Sequence, residues 1–124
     1  MPTVHTFGPF RLDTAAEILF REAEPVALGQ RAVALLRVLV EQAGKPVSKD
    51  VLIHAAWPGL AIEDSNLTVQ IAALRRVLAE TPGGENWIET LPRRGYRFTG
   101  PAVAGGVRSA EAIATTARLR RFPF

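Results

Sequence analysis

The spacing of apolar residues changes period along the chain, and this change separates a strand region from a helical one. Residues 1–28 alternate in short apolar and polar runs, with turn signals at Gly8-Pro9 and at Asp13-Thr14. Short alternating runs with β-branched and aromatic residues are typical of antiparallel strands. The pattern therefore predicts three or four short strands at the start of the chain.

Between residues 30 and 80 the apolar period becomes helical and predicts three helices. The first runs from Gln30 to Ala43, and the second is capped by Ser48 and ends near Ala56. The third begins with capping and acidic residues at 63–66 and continues to about Glu80. Its predicted core stripe is Leu67, Ile71, Leu74 and Leu78.

Two further strands, at 87–91 and 96–98, are predicted to form a hairpin around Pro92-Arg93-Arg94-Gly95. A small sheet, three helices and a hairpin in this order indicate an α+β fold, the winged helix-turn-helix. In such proteins the last helix enters the major groove of DNA. We expect one such domain over residues 1–100, followed by a linker or flexible basic tail at 101–124.

The composition excludes several classes of protein. With 124 residues and no cysteine, the chain fits one domain without disulfides or thiolate metal sites. Two histidines make a zinc site unexpected, and we predict no metal and no cofactor. Phosphate-cradling glycine loops and nucleophile elbows are missing, so no enzyme is predicted. No apolar stretch approaches the ~20 residues of a membrane span, so a cytoplasmic location is expected.

The net charge of +3 says little about the domain, because residues 1–100 hold 11 basic and 11 acidic side chains. The local distribution is more informative. Residues 75–97 hold five arginines against three glutamates, whereas residues 1–30 hold two arginines against four acids. The predicted third helix and hairpin are therefore the positive end of the domain.

The outward face of the predicted third helix carries the candidate DNA contacts. Asn66 and Gln70 can pair with adenine, and Val69 or Ala73 can touch a thymine methyl group. Trp57 can donate its indole N–H to a phosphate, although a tryptophan is more often a core residue. The side chains suited to phosphate lie on the same helix and at the hairpin tip, and they are Thr68, Arg75, Arg76, Arg93 and Arg94.

Several strings of residues match one known family. They are Leu28-Gly29-Gln30-Arg31-Ala32, Val47-Ser48-Lys49-Asp50-Val51-Leu52, Trp57-Pro58-Gly59, Glu63-Asp64-Ser65-Asn66-Leu67-Thr68-Val69-Gln70-Ile71, Leu74-Arg75-Arg76 and Arg94-Gly95-Tyr96-Arg97-Phe98. On these strings, residues 4–100 resemble the OmpR/PhoB-type DNA-binding domain of bacterial transcription regulators. The CadC-like branch, with this domain at the N-terminus, is the most similar. The resemblance implies a four-stranded N-terminal sheet, three helices and a hairpin wing.

The resemblance also implies roles for individual residues. The implied contacts of the third helix, or recognition helix, are Ser65, Asn66, Val69, Gln70, Ala73 and Arg75. Further contacts are expected in the loop after the second helix and in the wing, at Trp57, Thr90, Arg93, Arg94 and Tyr96. The chain departs from response regulators at Ala72 and Ala73, where arginines are common. This departure moves the expected base contacts to Asn66, Gln70 and the wing.

The implied partner is double-stranded DNA, bound at direct-repeat sites by head-to-tail pairs of the domain. Because an effector region follows the domain in CadC-like proteins, we expect residues 101–124 to begin a linker to a missing C-terminal effector domain. The alternative is a winged helix that acts as a protein–protein interaction module. The zero net charge of residues 1–100 is the observation that favours this alternative.

Overall fold

The computed structural model of the chain describes residues 3–101 and 103–107. Three helices lie between two sets of strands. The helices are α1 (Gln30–Glu41), α2 (Lys49–Ala56) and α3 (Asp64–Leu78). The strands are β1 (Thr3–Phe7), β2 (Phe10–Asp13), β3 (Ile18–Arg21), β4 (Glu24–Pro25), β5 (Ile88–Leu91), β6 (Gly95–Phe98) and β7 (Ala104–Val107).

The first four strands form the predicted antiparallel meander, which confirms a four-stranded N-terminal sheet. A fifth strand extends it in the order β4-β3-β2-β1-β7, because β7 pairs with β1 and places Gly105 opposite His5. This strand lies in the stretch predicted to be a linker. The alternation rule missed it because Ala104-Gly105-Gly106-Val107 has no polar and apolar alternation. The predicted basic tail beyond residue 107 lies outside the described residues.

Of the two predicted helix caps, the structure confirms one and contradicts the other. The Ser48 hydroxyl accepts a hydrogen bond from the Val51 backbone N–H at 3.2 Å, so the predicted cap of α2 is confirmed. The predicted side-chain cap of α3 is wrong, because Glu63 occupies the cap position and accepts no such bond. Its longer side chain lacks the cap geometry of Ser, Thr, Asp or Asn. Asp64 still supplies the predicted negative charge in the first turn.

Buried residues of the helices and of the N-terminal sheet form one hydrophobic core, and aromatic rings connect that sheet to the C-terminal hairpin. Trp87, just before β5, packs edge-on against Phe7, Phe10 and Phe98, with ring centroids 6.0 to 6.4 Å apart. Phe7 also contacts Phe98 edge-on at 5.4 Å. Edge-to-face rings add to the energy of burial. The hairpin is therefore part of the same core as the sheet.

Candidate nucleic-acid interface

Helix α3 buries one side and presents the other to solvent. Its core stripe is the predicted one, since Leu67, Ile71, Leu74 and Leu78 are all buried. The exposed residues of the outward face are Ser65, Asn66, Thr68, Val69, Ala72 and Arg76, while Gln70 and Ala73 are half-buried beside them. Val69, at the centre, is 62% exposed. The 3.6-residue period thus places the predicted contact residues on one continuous surface.

The side chains on this outward face are almost free of bonds to the rest of the fold. Thr68 donates its hydroxyl hydrogen to the Asp64 carbonyl one turn earlier, at 3.2 Å. Within the part of the chain that the structure describes, Asn66, Gln70 and Arg76 make no side-chain hydrogen bond or ion pair. Their donors and acceptors are available to a ligand.

The wing is the hairpin of β5 and β6, residues 88–98. Its register pairs Leu91 with Gly95, so the tip consists of Pro92, Arg93 and Arg94. The Arg94 backbone N–H donates to the Leu91 carbonyl at 2.9 Å, and Arg93 has a φ of 66°. Proline followed by a residue with positive φ is characteristic of a tight turn. Both arginine side chains at this tip are exposed.

The base of the wing is held by the segment that precedes α2. Val47 and Tyr96 exchange two backbone hydrogen bonds, at 2.8 and 2.9 Å. The approach is so close at Gly95 that an added Cβ would lie 1.9 Å from the Val47 carbonyl oxygen. Only glycine fits there, which gives the Arg94-Gly95-Tyr96 string a structural reason. Tyr96 is 6% exposed as a result.

Two of the five arginines in residues 75–97 are engaged inside the fold. Arg75 donates to the Ile88 carbonyl and to the Thr90 hydroxyl, at 2.8 and 2.7 Å. Arg97 donates to the Glu89 carboxylate across the hairpin, with its Nε at 2.9 Å. Among the described residues, the other three arginines have no ion pair or side-chain hydrogen bond, and they are Arg76, Arg93 and Arg94.

The structure therefore brings most of the predicted contact residues to one surface, but not all of them. Trp57 is 8% exposed and packs in the core, with the Arg31 guanidinium 5.8 Å from its ring. Tyr96 is likewise buried. Arg75 is half-buried and bonded to the exposed Thr90. These four predicted contacts are tied to the fold rather than presented on the outward face of α3.

The contacts that hold the wing were not predicted from the sequence. The Glu89–Arg97 pair could have been found, because a turn centred on Arg93 places these residues opposite each other with opposite charge. The Val47–Tyr96 bridge joins positions 49 residues apart, and no local pattern marks it. No local pattern marks the Ile88 carbonyl as the acceptor for Arg75 either.

The described part of the chain, residues 3–101 and 103–107, has no cluster of three or more His, Cys, Asp or Glu side chains suited to a metal ion. It also contains no helix that is long and apolar enough to cross a membrane. The exposed α3 face and the wing tip are thus the leading candidates for a functional surface.

Comparison with protein families finds one family that matches more than half of the chain. The model of the family described as "Transcriptional regulatory protein, C terminal" matches residues 23–98, which include α1, α2, α3 and the wing. The chain belongs to this family. It is a DNA-binding domain of the OmpR/PhoB type found in transcription regulators, which is not an enzyme class.

The chain is also similar to individual known proteins. It is 38% identical over 97 residues to the transcriptional regulator HilA of Salmonella typhi, an alignment that covers 78% of this chain and 17% of HilA. The chain thus spans about a sixth of the length of that relative. The DNA-binding domain of E. coli CadC superposes with a TM-score of 0.70 at 25% identity, over 82% of this chain and 95% of that domain.

A third similar protein has been solved in a complex. The Klebsiella pneumoniae RstA DNA-binding domain, in complex with the RstA box, superposes with a TM-score of 0.63 at 26% identity. The match covers 77% of this chain and 95% of that domain. The winged helix fold and the OmpR/PhoB-type assignment are therefore confirmed.

Proposed function

We propose that this domain binds double-stranded DNA sequence-specifically, with α3 in the major groove and the wing tip on the adjacent phosphate backbone. The observation that carries the proposal is the juxtaposition of an unbonded outward helix face with two exposed, unpaired arginines at the tip of a hairpin attached to that helix. The RstA DNA-binding domain, which has a similar fold, has been solved in complex with the RstA box.

The outward face of α3 has the size and shape for a groove. A helix of 15 residues extends ~22 Å, and the ~12 Å major groove of B-DNA admits one helix. Alanine at positions 72 and 73, one turn beyond Val69, leaves that part of the face shallow. The helix backbone can therefore sit close to the base edges.

Base recognition falls to the amides and small apolar groups of this face. Asn66 and Gln70 each carry a donor and an acceptor that fit the N6 and N7 positions of adenine. Val69 and Ala73 can contact a thymine methyl group. Because none of these side chains makes a hydrogen bond or ion pair within the described fold, DNA binding breaks no such bond at these positions.

Phosphate contacts fix the register of the domain and carry no sequence information themselves. Arg76, Arg93 and Arg94 are the cations suited to this role, with the Ser65 and Thr68 hydroxyls as neutral donors. The overall net charge of residues 1–100 is zero, so attraction to DNA depends on these local cations rather than on the whole domain.

The resemblance to the family further suggests direct-repeat sites bound by head-to-tail pairs. It also suggests an effector region beyond the domain, in keeping with the greater length of HilA. We place the activity in the cytoplasm, because bacterial DNA lies there.

The competing function is a protein–protein interaction module. The observation in its favour is apolar surface outside α3, since Val51 on α2 and Leu60 in the following loop are exposed. This surface does not carry the unpaired arginines. The DNA-binding function accounts for both the arginines and the free amides, and we prefer it.

The test is binding to DNA selected from a random duplex pool with the 124-residue chain. Affinity for the selected duplex and for a shuffled duplex is then measured at rising salt. We expect preference for the selected duplex and a logarithmic salt slope of about −0.9 for each contacted phosphate. No salt-dependent binding to any duplex would contradict the proposal and favour the protein-binding function.

A further inference from the structure

Two adjacent arginines near the end of α3 have opposite surroundings. The Nε and Nη2 atoms of Arg75 donate to the Ile88 carbonyl at 3.2 and 2.8 Å, and Nη2 also donates to the Thr90 hydroxyl. Its guanidinium carbon lies 6.0 Å from the centre of the Tyr96 ring. Arg76, the next residue, is exposed and has no such bond in the described fold.

The hydrogen-bond pattern of the wing explains why the Ile88 carbonyl is available. The backbone N–H and C=O of Tyr96 both bond to Val47, so they point away from β5. The facing pair Thr90 and Tyr96 is therefore not hydrogen-bonded, and neither is the pair two positions along, Ile88 and Phe98. In agreement, the Phe98 carbonyl accepts from the Gly44 N–H at 2.9 Å.

By the same alternation, the Ile88 carbonyl points to the outer edge of β5, where a strand has no backbone neighbour. Arg75 binds this open edge with a forked donor and reaches Thr90 one pleat further along. The wing is thus held on both sides. The segment that precedes α2 bonds to β6, and the recognition helix itself bonds to β5.

We propose that Arg75 is a positioning residue, whose guanidinium fixes β5 to α3 and so sets where the wing tip lies relative to the recognition face. This inference rests on the proposed function, in which helix face and tip engage one duplex. It assigns Arg75 and Thr90 to the wing support rather than to phosphate contact. A lysine cannot replace Arg75, because a single ammonium lacks the planar fork that meets both acceptors.

The first test uses the free protein, without DNA. Backbone amide hydrogen exchange is compared for wild type, Arg75→Lys, Arg75→Gln and the matched control Arg76→Gln. Both Arg75 variants should speed exchange in the wing, residues 88–98, on the order of tenfold, because charge-assisted hydrogen bonds are lost. The control should match wild type in the wing, and α1 amides should be unchanged in all variants.

Thr90→Val provides a milder variant that leaves Arg75 in place and removes one acceptor from an exposed position. It should accelerate wing exchange in the same direction by a smaller factor. Wing exchange equal to wild type in the Arg75 variants would overturn the proposal. An equal acceleration throughout the chain would also overturn it, since that result indicates general destabilisation.

The second test measures affinity for the selected duplex in a double-mutant cycle of Arg75→Lys and Arg94→Ala. If Arg75 positions the tip, Arg94→Ala should cost clearly less affinity in the Arg75→Lys background than in wild type. Strictly additive losses would contradict the inference. Failure of the wild-type chain to bind any duplex would remove the proposed function, whereas the exchange result in free protein would stand independently.

Discussion

The first two turns of α3 and its last two turns bury the same stripe but face different surroundings. Along residues 65–70 the outward side chains are free of partners apart from the local bond of Thr68. Along residues 74–78 the helix is bonded to the wing through Arg75 and carries Arg76 on its exposed side. The comparison teaches that residue type does not decide a role. Two neighbouring arginines have different surroundings, because Arg75 bonds to a strand edge and Arg76 faces solvent.

The change with the largest expected effect is in the buried core stripe, which runs along both halves of α3. Leu74 is 0% exposed in the centre of the core stripe. Leu74→Ala should lower the free energy of unfolding by about 2 to 5 kcal/mol, through lost burial and a residual cavity. Urea denaturation measures this loss. The matched control is Leu60→Ala, at a position 55% exposed, and an equal loss in both variants would contradict the assignment of the stripe.

The first half of α3, whose outward side chains are free of partners, is tested by Gln70→Ala. If Gln70 reads a base edge, the substitution should cost about 1 to 3 kcal/mol of binding free energy, chiefly on the selected duplex. Fluorescence anisotropy with selected and shuffled duplexes measures the difference. Gln42→Ala, at an exposed position beyond α1, should leave both affinities unchanged. Equal losses on the two duplexes would remove Gln70 from a base-reading role.

The wing tip is tested by Arg94→Ala. Loss of one phosphate contact should weaken binding to every sequence similarly and flatten the logarithmic salt slope by about one unit. Affinities at four or more salt concentrations give the slope. Arg11→Ala serves as the control, because this arginine lies over the Phe20 ring on the N-terminal sheet. A salt slope unchanged by Arg94→Ala would exclude contact between this side chain and the DNA phosphate backbone.

The smallest expected effect concerns Arg97, which forms an ion pair with Glu89. Glu89→Gln removes the partner of Arg97 in a half-exposed pair. The free energy of unfolding should change by less than about 1 kcal/mol, as is usual for such pairs. Non-specific DNA binding should become slightly tighter, because one arginine of the wing loses its counter-charge. Weaker non-specific binding in this variant would show that the wing does not face DNA.

The parts of this molecule that could be predicted from sequence are those set by local period. The spacing of Leu67, Ile71 and Leu74 determines both the buried stripe and the outward face of α3, so the exposure of the candidate residues on that face followed directly. Ser48 was likewise recognisable as a cap, because its interaction lies within one turn.

The parts that were missed depend on pairing between distant segments. Tyr96 is buried because β6 pairs with Val47, and this register is not encoded near either residue. Arg75 was predicted at a phosphate because its position on the helical wheel borders the outward face. The bond of its guanidinium to the Ile88 carbonyl was not predicted, because the direction of that carbonyl depends on which residue pairs of the hairpin are hydrogen-bonded. Strand β7 escaped detection because its own sequence does not alternate.

The central claim is that the outward face of α3 and the wing tip contact the same DNA. The most direct measurement is amide chemical-shift mapping of the 124-residue chain titrated with the selected duplex. We predict the largest shifts at residues 65–73 and at 92–94, appearing together at the same DNA concentration. Shifts confined to β1–β4 or to the loop around Leu60, with α3 and the wing tip unaffected, would contradict the account.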